Sequence, residues 1–177
     1  MKCDVIESYS DYVPPVPVAP IVRDLIRCVK PEYLAGLASI VITNSSSLSR
    51  EERRRRVKSR NHKVLLAERR GFYQPASHDQ EAYIQLKADM IIPVRWIKSR
   101  DWFLDPLRYR LVFARVLYHE IGHHIHFTQR PKYRGIENVA EKHMHRLLKR
   151  MLLKRWYLYL PAIIGLIPAL ARELRRP

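Results

Sequence analysis

The clearest pattern of apolar and polar positions lies in the second half of the chain and predicts two long helices. Apolar residues recur there at intervals of three or four, the spacing that places side chains on one face of a helix. In the first helix these residues are Leu107, Leu111, Ala114, Leu117 or Tyr118, Ile121 and Ile125. In the second helix they are Ile136, Ala140, Met144, Leu147 or Leu148, and Met151.

The boundaries of both helices are predicted by residues that favour helix ends. Asp105 followed by Pro106 indicates a start, because a carboxylate caps free backbone N–H groups and proline suits the first helical position. Pro131 ends this helix, and Gly135 opens the second one. We therefore expect two helices joined by a short loop.

Short runs of apolar and β-branched residues in the first half predict strands at residues 38–43, 63–67, 71–74 and 82–86. Residues 90–97 are also apolar, but Pro93 interrupts them, so a strand there can lie only at a sheet edge. Residues 21–29 have helical spacing. The first half is thus predicted to form a small, mostly antiparallel sheet with one or two helices.

Two terminal segments differ from the rest in composition. Four prolines fall within residues 12–20, which favours an extended backbone, and residues 1–20 are interpreted as a proline-rich arm. Residues 156–171 carry no charge, but sixteen residues are fewer than the roughly 20 that a spanning helix needs. Residues 156–177 form an apolar segment with a basic tail, which either packs on the core or binds a membrane surface or partner. The domain itself is predicted at residues 21–155.

The chain is strongly basic, with 33 Lys and Arg against 17 Asp and Glu and a net charge of +16. Such a field attracts nucleic acid, anionic membrane surfaces or acidic proteins. The densest basic run, residues 50–60, is either an exposed helix or a loop, and either a solvated surface or a binding patch. Two cysteines without close spacing and a polar N-terminus lead us to expect a cytoplasmic protein, with the C-terminal segment as a candidate membrane contact.

The sequence His119-Glu120-Ile121-Gly122-His123 within the first long helix is a candidate metal site. The two histidines are four residues apart, so both imidazoles lie on one helix face and can reach one tetrahedral zinc ion. Glu120 is about 100° around the helix from His119, where it can reach a water on the open side of the ion. Gly122 has no side chain, so another backbone segment can approach closely.

Two histidines leave a zinc ion in need of a third protein ligand. His126 lies seven residues from His119, about 10.5 Å along the helix axis, too far to share an ion with bonds near 2 Å. His124 points elsewhere. The next helix offers Glu137 and Glu141 on one face. One can bind zinc while the other accepts the free N–H of a ligand histidine, and we favour Glu137 as the ligand with the reverse left open.

These residues resemble the zincin metallopeptidases, and more narrowly the gluzincins, which carry HExxH on one helix and a glutamate ligand on the next. The downstream motif in that family is typically ExxxD, whereas this chain has Glu137-x-x-x-Glu141. The short interval before Glu137 is similar to that of small single-domain forms such as minigluzincins or ImmA/IrrE-like proteins. The resemblance covers mainly residues 82–148.

The resemblance implies a zincin-like α+β fold in which the sheet packs on the two helices. It also implies that a substrate adds as a strand to a sheet edge above the metal, for which residues 82–86 are the candidate. The implied reaction is hydrolysis of a protein or peptide substrate, with Glu120 as general base on the zinc-activated water. Tyr133 and His145 are candidate donors to the oxyanion. The alternative is a non-enzymatic, zinc-stabilised basic module that binds nucleic acid, a membrane surface or a protein partner.

Overall fold

A four-stranded sheet and two long helices are the main elements of the computed structural model, which describes residues 3–59, 62–92, 105–129 and 136–154. The strands are β1 (Asp4–Glu7), β2 (Leu37–Thr43), β3 (Arg56–Ser59), β4 (His62–Leu65), β5 (Gly71–Gln74) and β6 (Ala82–Lys87). The helices are α1 (Val18–Ile26), α2 (Arg50–Arg54), α3 (Ala88–Ile91), α4 (Asp105–Gln129) and α5 (Ile136–Lys154). Three short 3₁₀ turns occupy Pro31–Tyr33, Ser45–Ser47 and Leu66–Glu68.

The larger sheet has the order β1-β2-β6-β5 and is mostly parallel. β1 pairs with β2 and β2 with β6 in parallel, whereas only the pairing of β5 with β6 in this sheet is antiparallel. β3 and β4 form a separate antiparallel hairpin. The α+β class is confirmed, but the prediction of a mostly antiparallel sheet is wrong. Parallel neighbours need long crossover connections, and α1 and the α2–hairpin segment supply them here.

The core lies where the two central strands face α4. Side chains at Ile40, Ile42, Ile84 and Leu86 are fully buried, as the alternation along β2 and β6 requires. α4 packs on α1, β5 and β6, and the Tyr118 hydroxyl donates a hydrogen bond to the Leu25 carbonyl at 3.0 Å. α4 is thereby fixed to both the sheet and α1.

The apolar stripes predicted for the two long helices are largely confirmed. The residues of α4 that are buried at the predicted positions are Ala114, Leu117, Tyr118, Ile121 and Ile125. In α5 they are Ala140, Met144, Leu147 and Met151. Ile136 was predicted to belong to this stripe but is 37% exposed at the first residue of α5, and the buried stripe begins at Val139 and Ala140.

Two other boundaries differ from the predictions. The last three residues of the segment expected to be extended, ending at Pro20, are the first turn of α1. Proline is tolerated there because the first-turn N–H groups have no helical partner. Met90 lies in the short helix α3 and not in an edge strand, since the chain turns directly after β6. Ile91 also lies in α3 and Ile92 follows it, while residues 93–97 of that predicted strand lie outside the described residues.

The basic run that begins at Arg50 is ordered as a helix followed by a strand. Ser49 and Glu52 form a reciprocal capping box at the start of α2, which satisfies two backbone N–H groups. The run then enters β3. Residues 156–177 lie outside the described residues. Within the described ranges, no helix combines the length and the apolar character that crossing a bilayer requires.

Candidate metal centre

Three side chains from the two long helices converge at one point. Oε2 of Glu137 on α5 lies 3.4 Å from Nε2 of His119 and 3.9 Å from Nε2 of His123, both on α4. One ligand atom from each of the three residues lies within 4.8 Å of the others. The histidine rings are 4.7 Å apart at 86°, so their Nε2 atoms face a shared space.

The convergence depends on an unusually close approach of α4 and α5. A Cβ atom built on Gly122 would lie 2.6 Å from both Cα and the carbonyl oxygen of Ala140. Gly122 directly precedes His123 on α4, and Ala140 comes three residues after Glu137 on α5. The sequence predicted that another backbone segment could approach Gly122 closely, and the structure shows that this segment is α5 at Ala140, which carries Glu137 within reach of the histidines.

The three donors suit a zinc ion. Bonds of 2.0–2.1 Å in a tetrahedral site place neighbouring ligand atoms about 3.4 Å apart, close to the observed distances to Glu137. Nε2 of His123 is buried and has no hydrogen-bond partner among the described residues. A buried nitrogen without a partner is unfavourable unless something else binds it. Two imidazoles and a carboxylate are the ligand set of many catalytic zinc sites.

Glu120 is buried beside this cluster, on the side of α4 that meets Gly71 of β5. It is 4% exposed, and its Oε2 atom has no hydrogen-bond partner in the described chain. The carboxylate packs closely on Gly71, since a Cβ atom there would meet Oε1 at 3.1 Å. Burial raises the pKa of Glu120 from 4.5 to about 7; the charge of Arg69 and the backbone N–H of Tyr73 oppose the rise.

His123 is held in its neutral form. Burial lowers its pKa from 6.5 to about 3, and the neighbouring charges of His119 and Arg69 act in the same direction. Neutral imidazole is the form that binds a metal. Arg69 acts electrostatically on both Glu120 and His123, yet sequence reasoning missed it. It follows the 3₁₀ turn before β5 and looks, in the sequence, like one more member of a basic surface.

The remaining histidines of α4 do not join the cluster of three. His124 is buried and bridges two other elements, with Nδ1 3.1 Å from the Tyr73 hydroxyl on β5 and Nε2 3.0 Å from the Ala35 carbonyl. Since a carbonyl only accepts, Nε2 carries the proton and the Tyr73 hydroxyl donates to Nδ1. His126 is also buried, at 1% exposure.

The strand beside the cluster differs from the one that was predicted. β6, the candidate edge strand at residues 82–86, pairs with β2 on one side and β5 on the other. That expectation is wrong, because β5 adds to β6 and becomes the described edge of the sheet next to α4. The signal that could have identified it is Gly71, a glycine at the start of a short strand that a helix approaches closely.

For the other three candidate residues, Glu141, His145 and Tyr133, the predicted roles stay predictions. Glu141 lies half-buried one turn after Glu137 on α5, where a second carboxylate was expected. His145 is exposed one turn further along the same helix. Tyr133 lies outside the described residues. Comparison of the chain with protein-family models, with curated proteins and with solved structures finds no match.

Proposed function

We propose that the protein is a small zinc-dependent metallopeptidase of gluzincin type. The observation that carries this proposal is the convergence of His119, His123 and Glu137 from two helices that touch at Gly122. The close approach of the helices places Glu137 of α5 beside the two histidines of α4. A buried carboxylate, Glu120, stands beside the cluster and completes the set of groups that peptide hydrolysis needs.

His119, His123 and Glu137 would hold the zinc ion, which when bound would supply a water whose pKa is lowered to about 7. Glu120 is the general base that takes a proton from the attacking water and passes it to the leaving amine. Its Oε2 atom is free to do so because no described residue hydrogen-bonds to it. The bond from the Tyr73 N–H and the packing of Gly71 hold the carboxylate in one orientation.

The substrate in this proposal is a protein or peptide whose backbone lies along β5. This strand is the edge of the sheet nearest the cluster, and its residues Gly71 and Tyr73 both contact Glu120. A peptide added to this edge would present its carbonyl group between the ligands and the base. Arg69, whose charge acts on both Glu120 and His123, is the candidate to stabilise the developing oxyanion.

The test of the proposed function is the Glu120→Gln variant, assayed for zinc content and for hydrolysis of a denatured protein substrate. We expect zinc to stay bound while turnover falls by about 10²- to 10⁴-fold, the usual contribution of a general base. Glu51→Gln, on the exposed face of α2, is the matched control and should retain full activity. Equal behaviour of both variants would instead support the non-enzymatic zinc-stabilised module.

A further inference from the structure

A polar cleft of about 330 Å³ lies outside the metal centre, between α5, the end of α4 and the 3₁₀ turn at Pro31–Tyr33. The lining residues that matter here are Tyr33, Gln129, Asn138, Lys142, His143 and Arg146. Its volume falls within the range of about 300–1,000 Å³ that is usual for sites of small organic groups. The proposed peptidase reaction makes no use of this cleft.

The chemistry of the cleft favours an anion with several oxygen atoms. Lys142 offers an ammonium group, Arg146 a planar guanidinium fork, and Gln129 and Asn138 offer amide donors. None of the described residues that line the cleft carries a carboxylate. Arginine and lysine in such a setting are the side chains that bind phosphate groups in proteins.

The positive charge continues beyond the cleft as a stripe along α5. Lys142, Arg146, Lys149 and Arg150 follow one another at helical spacing, so they lie on one side of the helix. Lys142, Arg146 and Lys149 are exposed, and Arg150 is half-buried. Arg150 lies near the Glu32 carboxylate, so Lys142, Arg146 and Lys149 are the successive cations that the stripe offers to an extended anion, in a chain whose net charge is already +16.

An aromatic wall distinguishes the cleft from a plain basic surface. The Tyr33 ring lines it and is fixed in place by His143, at 5.8 Å and 81°, and by the Lys30 ammonium at 5.8 Å from the ring centroid. Grooves that combine backbone-tracking cations with aromatic side chains are characteristic of single-stranded nucleic-acid binding. A bilayer surface would instead favour a broad apolar face, which a concave polar cleft does not present.

We propose that this cleft and the basic stripe of α5 bind the phosphodiester backbone of single-stranded nucleic acid. The same helix carries Glu137, directly before Asn138, so a bound strand would lie within a few residues of the metal centre. The surface would deliver the protein to polypeptides that are themselves bound to nucleic acid. The binding proposal stands on the cleft alone and does not depend on the metal centre being catalytic.

The test compares the full chain with Lys142→Gln/Arg146→Gln, using fluorescence anisotropy of a labelled oligothymidylate over a series of salt concentrations. Loss of two phosphate contacts should weaken binding about tenfold and reduce the slope of log K against log salt by about 1.4. Arg50→Gln/Arg54→Gln on α2 is the control, because it removes the same charge from exposed positions that do not line the cleft. It should change both quantities much less. Circular dichroism of each variant verifies the fold, and an oligoribouridylate tests whether RNA binds as well as DNA.

Three results would overturn the proposal. The first is no binding of the oligonucleotides by the wild type even at low salt. The second is equal weakening in the cleft variant and the α2 control, which would show only a general attraction of charge. The third is an unchanged oligonucleotide affinity in the cleft variant together with lost sedimentation on phosphatidylserine-containing vesicles, which would assign the stripe to a membrane surface. Loss of nucleic-acid binding with unchanged peptide hydrolysis would separate this surface from the proposed active site.

Discussion

Gly122 and Ala140 bring the backbones of two helices into direct contact, with a Cβ atom at Gly122 placed 2.6 Å from the Ala140 Cα and carbonyl oxygen. The neighbour is backbone and not a flexible side chain, so it cannot move aside without moving α5. Because Glu137 is carried on α5, this contact sets its distance from the two histidines of α4. Zinc binding is therefore expected to depend on a residue that has no ligand atom.

Gly122→Ala tests that dependence. The added methyl group forces α4 and α5 apart, so we expect zinc affinity to fall at least tenfold and the free energy of unfolding to fall by about 1–3 kcal/mol. Zinc affinity measured by competition with a chromogenic chelator gives the first value, and urea unfolding the second. A variant that binds zinc as tightly as the wild type would show that the helix contact does not position Glu137.

Gly71→Ala should leave zinc binding intact and lower turnover, in contrast to Gly122→Ala. Its Cβ atom would meet Val116 Cγ1 at 2.6 Å and the Glu120 carboxylate oxygen Oε1 at 3.1 Å, but none of the three ligands is among its nearest contacts. We expect full zinc content and a loss of about 100-fold in kcat/KM, because a misplaced base is costly even at distances near 1 Å. Zinc loss in this variant, or unchanged turnover, would contradict the role given to the contact between β5 and Glu120.

The hydrogen bond between Tyr73 and His124 is expected to stabilise the attachment of β5 to α4. Tyr73→Phe leaves a buried His124 nitrogen without its donor, which should cost about 1–3 kcal/mol in unfolding free energy. Tyr9→Phe is the control, since its hydroxyl bonds the Glu7 carboxylate at an exposed position. Urea unfolding should show a clearly smaller loss of unfolding free energy for the control. Equal losses would mean that the buried hydrogen bond stabilises the fold no more than the exposed one does.

Lys87 gives the fold a specific pH dependence. Its side chain is 1% exposed and donates to the carbonyls of Leu66 and Ala67, and burial lowers its pKa from 10.5 to about 8. Between pH 8 and 10 the unfolded chain keeps this proton while the folded chain loses it. The contribution of Lys87 to the free energy of unfolding therefore rises with pH over that interval, by up to about 3 kcal/mol.

Unfolding of the wild type and of Lys87→Met at several pH values between 7 and 10 measures this contribution. The comparison between the two proteins removes the effect of tyrosines and other groups that titrate near the upper limit. We expect the unfolding free energy of the wild type minus that of Lys87→Met to increase as pH rises. A difference that stays constant would show that Lys87 keeps an ordinary pKa in the folded protein.

The two helices of the candidate metal centre could be predicted from the sequence because helical periodicity is a local signal. Apolar residues recur every three or four positions in both helices, and members of this pattern such as Ile121 and Met144 are buried as it predicts. The four-residue spacing of His119 and His123 is also a local signal, and it predicted that both side chains lie on one face of the helix. Gly122 also carried a usable signal, since a glycine inside a helix that is otherwise well formed indicates close packing.

The sheet order could not be predicted in this way, because strand pairing is decided by long-range contacts. β1 is short and largely exposed, so Asp4–Glu7 showed no strand pattern, and without it the parallel arrangement was hidden. The edge position of β5 follows only from its pairing with β6. Arg69 was missed because its effect on Glu120 and His123 arises from the folded position of a loop.

The most direct test of the account is the zinc content of the purified protein, measured by elemental analysis for the wild type, Glu137→Ala, Glu141→Ala and His126→Ala. We predict about one zinc ion per chain in the wild type, the largest loss in Glu137→Ala, and near-normal content in His126→Ala. A wild type that neither carries zinc nor takes it up, or a Glu137→Ala variant that retains zinc as the wild type does, would contradict the proposed metal centre.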